Sequence, residues 1–289
     1  MAGKSAAAPR GRLLVVGTPI GNLGDLTPRA AEALRSADLL VAEDTRLTRR
    51  LLSHLGARRP TVAFNDHTPA GRLGELLGRL AAGATLALTT DAGMPAVSDP
   101  GARLVEAARA AGASVEVLPG PSAVTAAMAA AGVEATGFLF GGFLPSRPVT
   151  ARTASLEHLL AAAGATGLPL VLFEAPHRIG ALLADLERRV PAARIAACRE
   201  MTKLHEEVLV GSPAEVVAGL HEQRGELTLV ISAIPPVGDT PTFDGAALVA
   251  AAERAGLAPR TIVQLLRAAG MPRRDAYHAV QPQASVSRD

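Results

Sequence analysis

Polar side chains that can carry charge or move protons follow several short apolar runs in this sequence. Glu43 and Asp44 come directly after one run, and Glu174 and His177 follow another. Lys203 comes shortly after a third run. Carboxylates and imidazoles serve as general bases, and an ammonium group stabilises developing negative charge. Because strand ends meet at the edge of a sheet, this spacing predicts a site assembled from several strand ends.

Some of these positions also have a purely structural interpretation. Asp44 can cap a helix that begins near Arg46, because its side-chain oxygen can accept a free backbone N–H. Pro176 can begin the next helix, which would make His177 and Arg178 part of a helix start. The sequence leaves both interpretations open.

The segment 89–101 has the composition of a binding loop. It follows the apolar run Thr85–Leu88 and is rich in glycine and proline. Such a loop exposes backbone amides and carbonyls, and Pro95 and Pro100 restrict its shape. Because ligands of open α/β sheets bind beyond the carboxyl ends of the strands, we predict a ligand site here, with a plain connecting loop as the alternative.

The loop after the first apolar run, 17–24, indicates a ligand without phosphate groups. Its glycines have the spacing G-x-x-x-G-x-x-G instead of the G-x-G-x-x-G of dinucleotide-binding folds. Pro19 removes a backbone N–H at a place where a pyrophosphate would need donors. The sequence contains no G-x-x-x-x-G-K-[ST] motif either. These features weaken the interpretation as a nicotinamide oxidoreductase.

Composition excludes several further classes. The 289 residues are 48% apolar, which excludes a disordered chain, yet no run of about 18 strongly apolar residues could cross a bilayer. Cys198 is the only cysteine, so neither an internal disulfide nor a cysteine-rich zinc site is possible. No spacing of histidine and acidic residues is typical of a metal site, and no signal peptide is evident. We therefore expect a metal-free cytoplasmic protein with no membrane association.

A basic segment lies between residues 46 and 59. It contains five arginines and no acidic residue, although the net charge of the chain is only +2: Arg46, Arg49, Arg50, Arg58 and Arg59. Such a segment can contact the phosphates of a nucleic acid, and a solvated helix face is the alternative. With six Phe, one Tyr and no Trp, the chain has too few aromatic residues for a base-stacking platform.

Short strands alternate with helical stretches over most of the chain. The first series predicts a parallel sheet covered on both faces, with strands at Leu13–Val16, Leu39–Ala42, Thr61–Phe64, Thr85–Thr89 and Ser114–Leu118. In the second series the third and fourth strands are close enough to form a hairpin, which predicts a mixed sheet: Gly137–Phe143, Leu170–Phe173, Arg194–Cys198, Glu206–Val210 and Glu226–Ser232. Three short helices follow a proline-rich linker. We expect two α/β domains, 12–119 and 120–234, and a helical module, 242–284, that either docks RNA or packs on the rest.

Taken together, these loops resemble one family closely. Over residues 13 to about 232 the chain resembles the ribosomal-RNA 2'-O-methyltransferase branch of the tetrapyrrole methylase superfamily. The matching motifs occur in the family's order: Thr18–Asp25, Glu43–Thr48, Asp91–Pro95, Ser98–Gly101, Pro119–Ala123, Gly142–Pro145, Pro176–Arg178 and Arg199–Lys203. Met201 stands where the family usually has leucine, and 65–68 only approximates a His- and Asn-rich stretch of the family.

The resemblance implies two α/β domains of the tetrapyrrole methylase type, a homodimer, and S-adenosylmethionine bound in the cleft between the domains. It implies that Asp91, Ala92 and Gly93 contact the cofactor mainly through their backbone. It extends the cofactor site to Pro19, Val97, Ser98, Ser122, Ala123, Glu226 and Leu227. Arg178 joins the five arginines of the basic segment as an RNA-binding candidate.

The activity that the resemblance implies is methyl transfer to the ribose 2'-hydroxyl of a cytidine in 16S ribosomal RNA, within the small ribosomal subunit. A hydroxyl is a poor nucleophile, so a base or a nearby cation must assist, and positioning supplies much of the rest. The catalytic candidates are then Lys203, Glu174, His177, Glu43 and Asp44, and the sequence does not choose among them. The rival functions are a corrin or porphyrin C-methyltransferase, for which a G-x-G-P-G-D first loop is expected, and a non-catalytic RNA-binding protein.

Overall fold

The computed structural model describes residues 11–65, 68–96, 101–220, 225–236, 245–268, 271 and 273–280. The chain divides into two compact units, one up to Pro235 and one from Pro236 onward. Both predicted sheets belong to the first unit. The predicted division at residues 119 and 120 falls between the last strand of the first sheet and the next helix.

The first sheet is entirely parallel, as predicted. Its strands lie in the order β3-β2-β4-β1-β5. Their bounds are β1 Arg12–Val16, β2 Leu39–Ala42, β3 Thr61–Ala63, β4 Thr85–Thr89 and β5 Ser114–Leu118. Because β2 and β1 both flank β4, the loops that follow these three strands meet at one edge of the sheet.

Four helices connect these strands: α1 Pro28–Ser36, α2 Thr45–His54, α3 Ala70–Ala81 and α4 Gly101–Ala110. Thr27 caps α1 by accepting the backbone N–H of Ala30, and Pro28 occupies the first turn. Alternate residues of β1 enter different hydrophobic clusters, Leu14 on one face of the sheet and Leu13 on the other. Burial on both faces is typical of a parallel sheet with helices on each side.

The second sheet is mixed and has the order β6-β7-β10-β8-β9. Its strands are β6 Leu139–Phe143, β7 Leu170–Glu174, β8 Arg194–Arg199, β9 Glu207–Gly211 and β10 Leu227–Ser232. Only β6 and β7 run parallel; the predicted hairpin is the antiparallel β8–β9 pair. The helices of this part are α5 Ala123–Ala131, α6 Val149–Thr166, α7 Ile179–Arg189 and α8 Pro213–Gly219.

The second unit contains the three predicted helices, α9 Gly245–Arg254, α10 Pro259–Ala268 and α11 Arg273–Ala279. They share a small core in which Ile262, Leu266 and Ala276 are almost fully buried. Within the described ranges no helix is both long and apolar enough for a bilayer crossing.

Candidate active site

The loops that follow β1 and β4 are joined to each other at the edge of the first sheet. The backbone N–H of Thr18 donates to Gly93 O at 2.8 Å, and the N–H of Gly93 donates back to Thr18 O at 3.1 Å. The hydroxyl of Thr18 also donates to Thr90 O at 3.2 Å. Gly93 has φ +81°, a conformation that glycine adopts without the penalty of a β-carbon. These hydrogen bonds therefore hold the two loops together.

A cavity of about 410 Å³ opens beneath these loops. Both sheets line it: the loop after β4 and the start of α5 on one side, the ends of β6, β7 and β10 on the other. Its size lies within the ordinary range of small-ligand sites. Several lining residues were not among the predicted cofactor residues: Ile20, Thr90, Met94, Phe143, Phe173 and Thr228.

A smaller cavity of about 290 Å³ adjoins the first. The loop after β1, residues 47–51 of α2 and Lys203 line it, and Arg50 contributes a positive charge. Five residues line both cavities and thus form their common wall: Ile20, Thr90, Asp91, Ala92 and Glu226.

Most of the predicted cofactor residues lie around the larger cavity. They are Asp91, Ala92, Gly93, Ser122, Ala123, Glu226 and Leu227. Pro19 instead lines the smaller cavity, and Val97 and Ser98 lie outside the described residues. Contact of these residues with a cofactor stays a prediction.

The lining of the larger cavity suits S-adenosylmethionine. Among the residues that the structure describes, the ionisable ones in this lining are acidic: Glu43, Asp91, Glu174 and Glu226, of which Glu174 is ion-paired with Arg152 and Arg178. An acidic lining disfavours phosphates and favours a ligand with sulfonium and ammonium charges. The first amides of α5, at Ala123 and Val124, have no partner within the helix and suit the ligand's carboxylate. Apolar side chains such as Phe143 and Phe173 suit an adenine ring.

Glu43, Asp44 and Asp91 form a network behind the common wall. The hydroxyl of Thr90 donates to Glu43 Oε2 at 2.7 Å, and the backbone N–H of Asp44 donates to Asp91 Oδ1 at 3.0 Å. Burial, together with the negative charges of Glu43 and Asp44, raises the pKa of Asp91. Glu43 itself lines the larger cavity.

Asp44 acts as a helix cap. Its carboxylate accepts the backbone N–H of Arg46 at 2.7 Å and forms an ion pair with the Arg46 guanidinium at 2.6 Å. The bonds from the side chain and backbone of Arg46 lower the pKa of Asp44 to about 2. Asp44 lines neither cavity, so the capping interpretation describes it better than the catalytic one.

Glu174 is buried between two arginines. Arg178 Nη2 lies 2.6 Å from one carboxylate oxygen, and Arg152 Nη2 lies 3.3 Å from the other. The Arg178 side chain is only 15% exposed and also donates to Leu144 O, which leaves it poorly placed for the predicted contact with RNA. Arg152 was missed, because it lies 22 residues from Glu174 with no local signal to connect them.

Lys203 lies where the two sheets meet. Its Nζ is 2.9 Å from Glu200 Oε1 and 3.2 Å from Glu226 Oε2. Burial favours the neutral amine, but the hydrogen bonds and charges of Glu200 and Glu226 outweigh it and raise the pKa of Lys203. The neighbouring Thr202 hydroxyl accepts the backbone N–H of Asn22 at 3.0 Å. Lys203 is therefore a fixed ammonium group beside the loop after β1.

The remaining predicted residues lie at the surface. His177 is exposed, belongs to the short 3-10 turn Pro176–Arg178, and lines neither cavity. Arg46, Arg49, Arg50, Arg58 and Arg59 are all exposed on or just after α2. The guanidinium of Arg59 donates to the backbone oxygen of Arg35.

Comparison with known proteins agrees with this architecture. Residues 12–217 match the family model of the Tetrapyrrole (Corrin/Porphyrin) Methylases, which is most of the chain. The chain belongs to the tetrapyrrole methylase family. Solved structures share this fold. One is a uroporphyrin-III C-methyl transferase from Thermus thermophilus in complex with S-adenyl homocysteine. It gives a TM-score of 0.54 at 21% identity, and the match covers 78% of this chain and 98% of that one. A diphthine synthase gives 0.58 at 15% identity, with 77% and 90% covered.

Several proteins are much closer to this chain in sequence, and they carry one name. Ribosomal RNA small subunit methyltransferase I of Thermotoga maritima is 40% identical over 224 residues, which is 77% of this chain and 98% of that protein. The enzyme of the same name from Xylella fastidiosa strain Temecula1 is 44% identical over 226 residues, with 76% and 81% covered. The one from Micromonospora olivasterospora is 39% identical over 279 residues, 95% of this chain and 88% of that protein. This last match extends into the second unit.

Proposed function

We propose that this protein is an S-adenosylmethionine-dependent methyltransferase that acts on the ribose 2'-hydroxyl of a cytidine in 16S ribosomal RNA. The observation that carries the proposal is the pair of adjoining cavities with a common wall at Asp91, Ala92 and Glu226. The larger one is acidic and apolar, while the smaller one has Arg50 and Lys203 in its lining. The names of the relatives at about 40% identity support small-subunit ribosomal RNA as the substrate.

When bound in the larger cavity, S-adenosylmethionine would supply an electrophilic methyl group on a sulfonium centre. The acidic lining would hold its positive charges, and the backbone of Ala92 and Gly93 in the loop after β4 would contact it. The smaller cavity receives the ribose. The ammonium group of Lys203 stabilises negative charge that develops on the ribose oxygen, because it lies in a partly buried site where such charge interactions are strong.

The basic segment reaches the smaller cavity through Arg50, with Arg46 and Arg49 exposed on the same helix, whereas its Arg58 and Arg59 precede β3, at the opposite edge of the first sheet. We propose that it binds phosphates of the RNA around the target nucleotide. The second unit supplies further positive charge, with Arg260, Arg267, Arg273 and Arg274 on or at its helices, and would dock RNA within the small subunit. The proposal includes a homodimer, the domain bounds 12–119, 120–234 and 242–284, and the cytoplasm, where ribosomal RNA is modified.

The decisive experiment is a methyl-transfer assay with labelled S-adenosylmethionine. Small ribosomal subunits that lack the modification, free 16S RNA and a tetrapyrrole are offered in separate reactions. Label in ribosomal RNA that survives as 2'-O-methylcytidine after complete digestion supports the proposal. Label in the tetrapyrrole alone, or on a base, overturns it.

A further inference from the structure

Two carboxylates lie on the common wall of the two cavities. Among the described residues, Asp91 and Glu226 are the acidic residues that line both. Glu226 is 73% exposed and pairs with Lys203 Nζ. Asp91 comes shortly after β4. Its loop is hydrogen-bonded, through Gly93, to the loop after β1. It is therefore the acidic group with the most fixed position between the two cavities.

One oxygen of the Asp91 carboxylate is fixed and the other is available. Oδ1 accepts the backbone N–H of Asp44 at 3.0 Å, which orients the group. Within the described parts of the chain, no donor bonds to Oδ2. A carboxylate held by one oxygen presents the other in a defined direction, as a general base requires.

The charges around Asp91 favour uptake of a proton. Glu43 and Asp44 face it from the end of β2 and the start of α2, and Arg46 opposes them from the first turn of α2. Glu226 and Lys203, beside the second sheet, and Arg50, on α2, line the smaller cavity together with Asp91. Burial and the two nearby carboxylates outweigh Arg46 and raise the pKa of Asp91.

The other candidates lack one of these properties, and Glu43 and Asp44 do so because neither lines the smaller cavity. Lys203 carries its proton, because Glu200 and Glu226 hold it as a cation. Glu174 has a guanidinium on each side of its carboxylate. His177 lines neither cavity.

We propose that Asp91 is the general base of the reaction, an inference that rests on the proposed methyl transfer. The proton of the ribose 2'-hydroxyl passes to Asp91 Oδ2 as the ribose oxygen uses a lone pair to form the bond to the methyl carbon. The electron pair of the breaking carbon–sulfur bond stays on sulfur, and protonated Asp91 then releases its proton to water. Lys203, which lines the same smaller cavity, stabilises the ribose oxygen.

The test replaces Asp91 with asparagine, which keeps an oxygen for the Asp44 N–H and removes the base. With saturating small subunits and S-adenosylmethionine, we expect Asp91→Asn to lower the single-turnover rate by about 10²–10⁴-fold. Affinity for S-adenosylmethionine, measured by calorimetry, should change less than about threefold. The matched control is Asp38→Asn, because Asp38 Oδ2 accepts the backbone N–H of Thr85 at the opposite end of the same sheet. This control should transfer methyl at the wild-type rate.

A second readout is independent of activity. Carbon-detected NMR of the cofactor-free protein follows each aspartate carboxyl, and the resonance lost in Asp91→Asn should show a pKa raised above the ordinary aspartate value. Asp91→Glu, which restores a carboxylate, should recover part of the rate and its dependence on pH.

A wild-type-like rate in Asp91→Asn overturns the inference, as does an equal loss of rate and cofactor affinity, which would make Asp91 a binding residue only. If the wild-type protein binds no S-adenosylmethionine and methylates no subunit, the proposed function itself fails.

Discussion

Each sheet has an acidic residue at a strand end, and the two look alike in sequence, but the charges around them are opposite in sign. Asp91, after β4, has two carboxylates and one exposed arginine near it, and it faces both cavities. Glu174, at the end of β7, has two largely buried guanidiniums against it. Position at a strand end therefore brings an acidic residue to the site, but its partners decide its role. We propose one carboxylate as the general base, and the other forms a buried cluster with two arginines beside the cavity.

The largest expected effect comes from Glu174→Gln. This change leaves Arg152 and Arg178 buried without a negative charge, and breaking a buried pair in this way costs about 3–5 kcal/mol of unfolding free energy. Urea unfolding should show a lower midpoint at unchanged slope. Asp91→Asn, treated in the same way, should lose less than about 1 kcal/mol. Equal losses in the two variants would remove the contrast between the two carboxylates.

Glycine at residue 93 provides the next test. Gly93→Ala places a β-carbon at φ +81° in the loop that lines the larger cavity, and we expect at least tenfold weaker binding of S-adenosylmethionine by calorimetry. Gly112→Ala is the matched control, since Gly112 has φ +77° and open space around it. Both changes carry the same conformational penalty of about 1–2 kcal/mol. Equal affinities in the two variants would place the cofactor elsewhere.

These expectations show what the sequence could and could not predict. Apolar runs and their spacing predicted both sheets and the β8–β9 hairpin, because burial dictates these patterns. No single apolar run, however, predicts the order of the strands in the sheet. Only the placement of β2 beside β4 brings the Asp44 N–H onto Asp91, across 47 residues of chain.

Long-range side-chain pairs were missed for the same reason. Arg152 reaches Glu174 because α6 crosses the second sheet, and Glu226 reaches Lys203 because β10 lies beside β8. The capping role of Asp44, by contrast, depends on residues two positions away and was among the interpretations that the sequence allowed.

The basic segment is tested by a smaller, graded effect. Replacing Arg49 and Arg50 with alanine should lower the slope of log affinity for the small subunit against log salt by about 1.4–1.8, if each arginine neutralises one phosphate. Arg188→Ala with Arg189→Ala removes the same charge from α7 and should leave the slope unchanged. A slope that stays constant in both double variants would assign the α2 arginines to solvated surface.

The smallest expected effect concerns Asp44. Its pKa is lowered to about 2 in the folded protein, from an ordinary value of 3.8, so the stability that it contributes is present above pH 4 and lost as the pH falls toward 2. Asp44→Asn should therefore reduce the change of unfolding midpoint between pH 4 and pH 2. Methyl transfer at neutral pH should stay within about twofold of wild type. A large loss of transfer would return Asp44 to the catalytic candidates.

The paired bonds between Thr18 and Gly93 have a consequence for motion. Each amide of the pair bonds to the other's carbonyl, so neither loop can swing outward while the other stays in place. The amide protons of both residues should then exchange with solvent in a single shared opening event. A ligand that immobilises one loop should therefore immobilise the other. The first ligand to bind then leaves a more rigid site for the second.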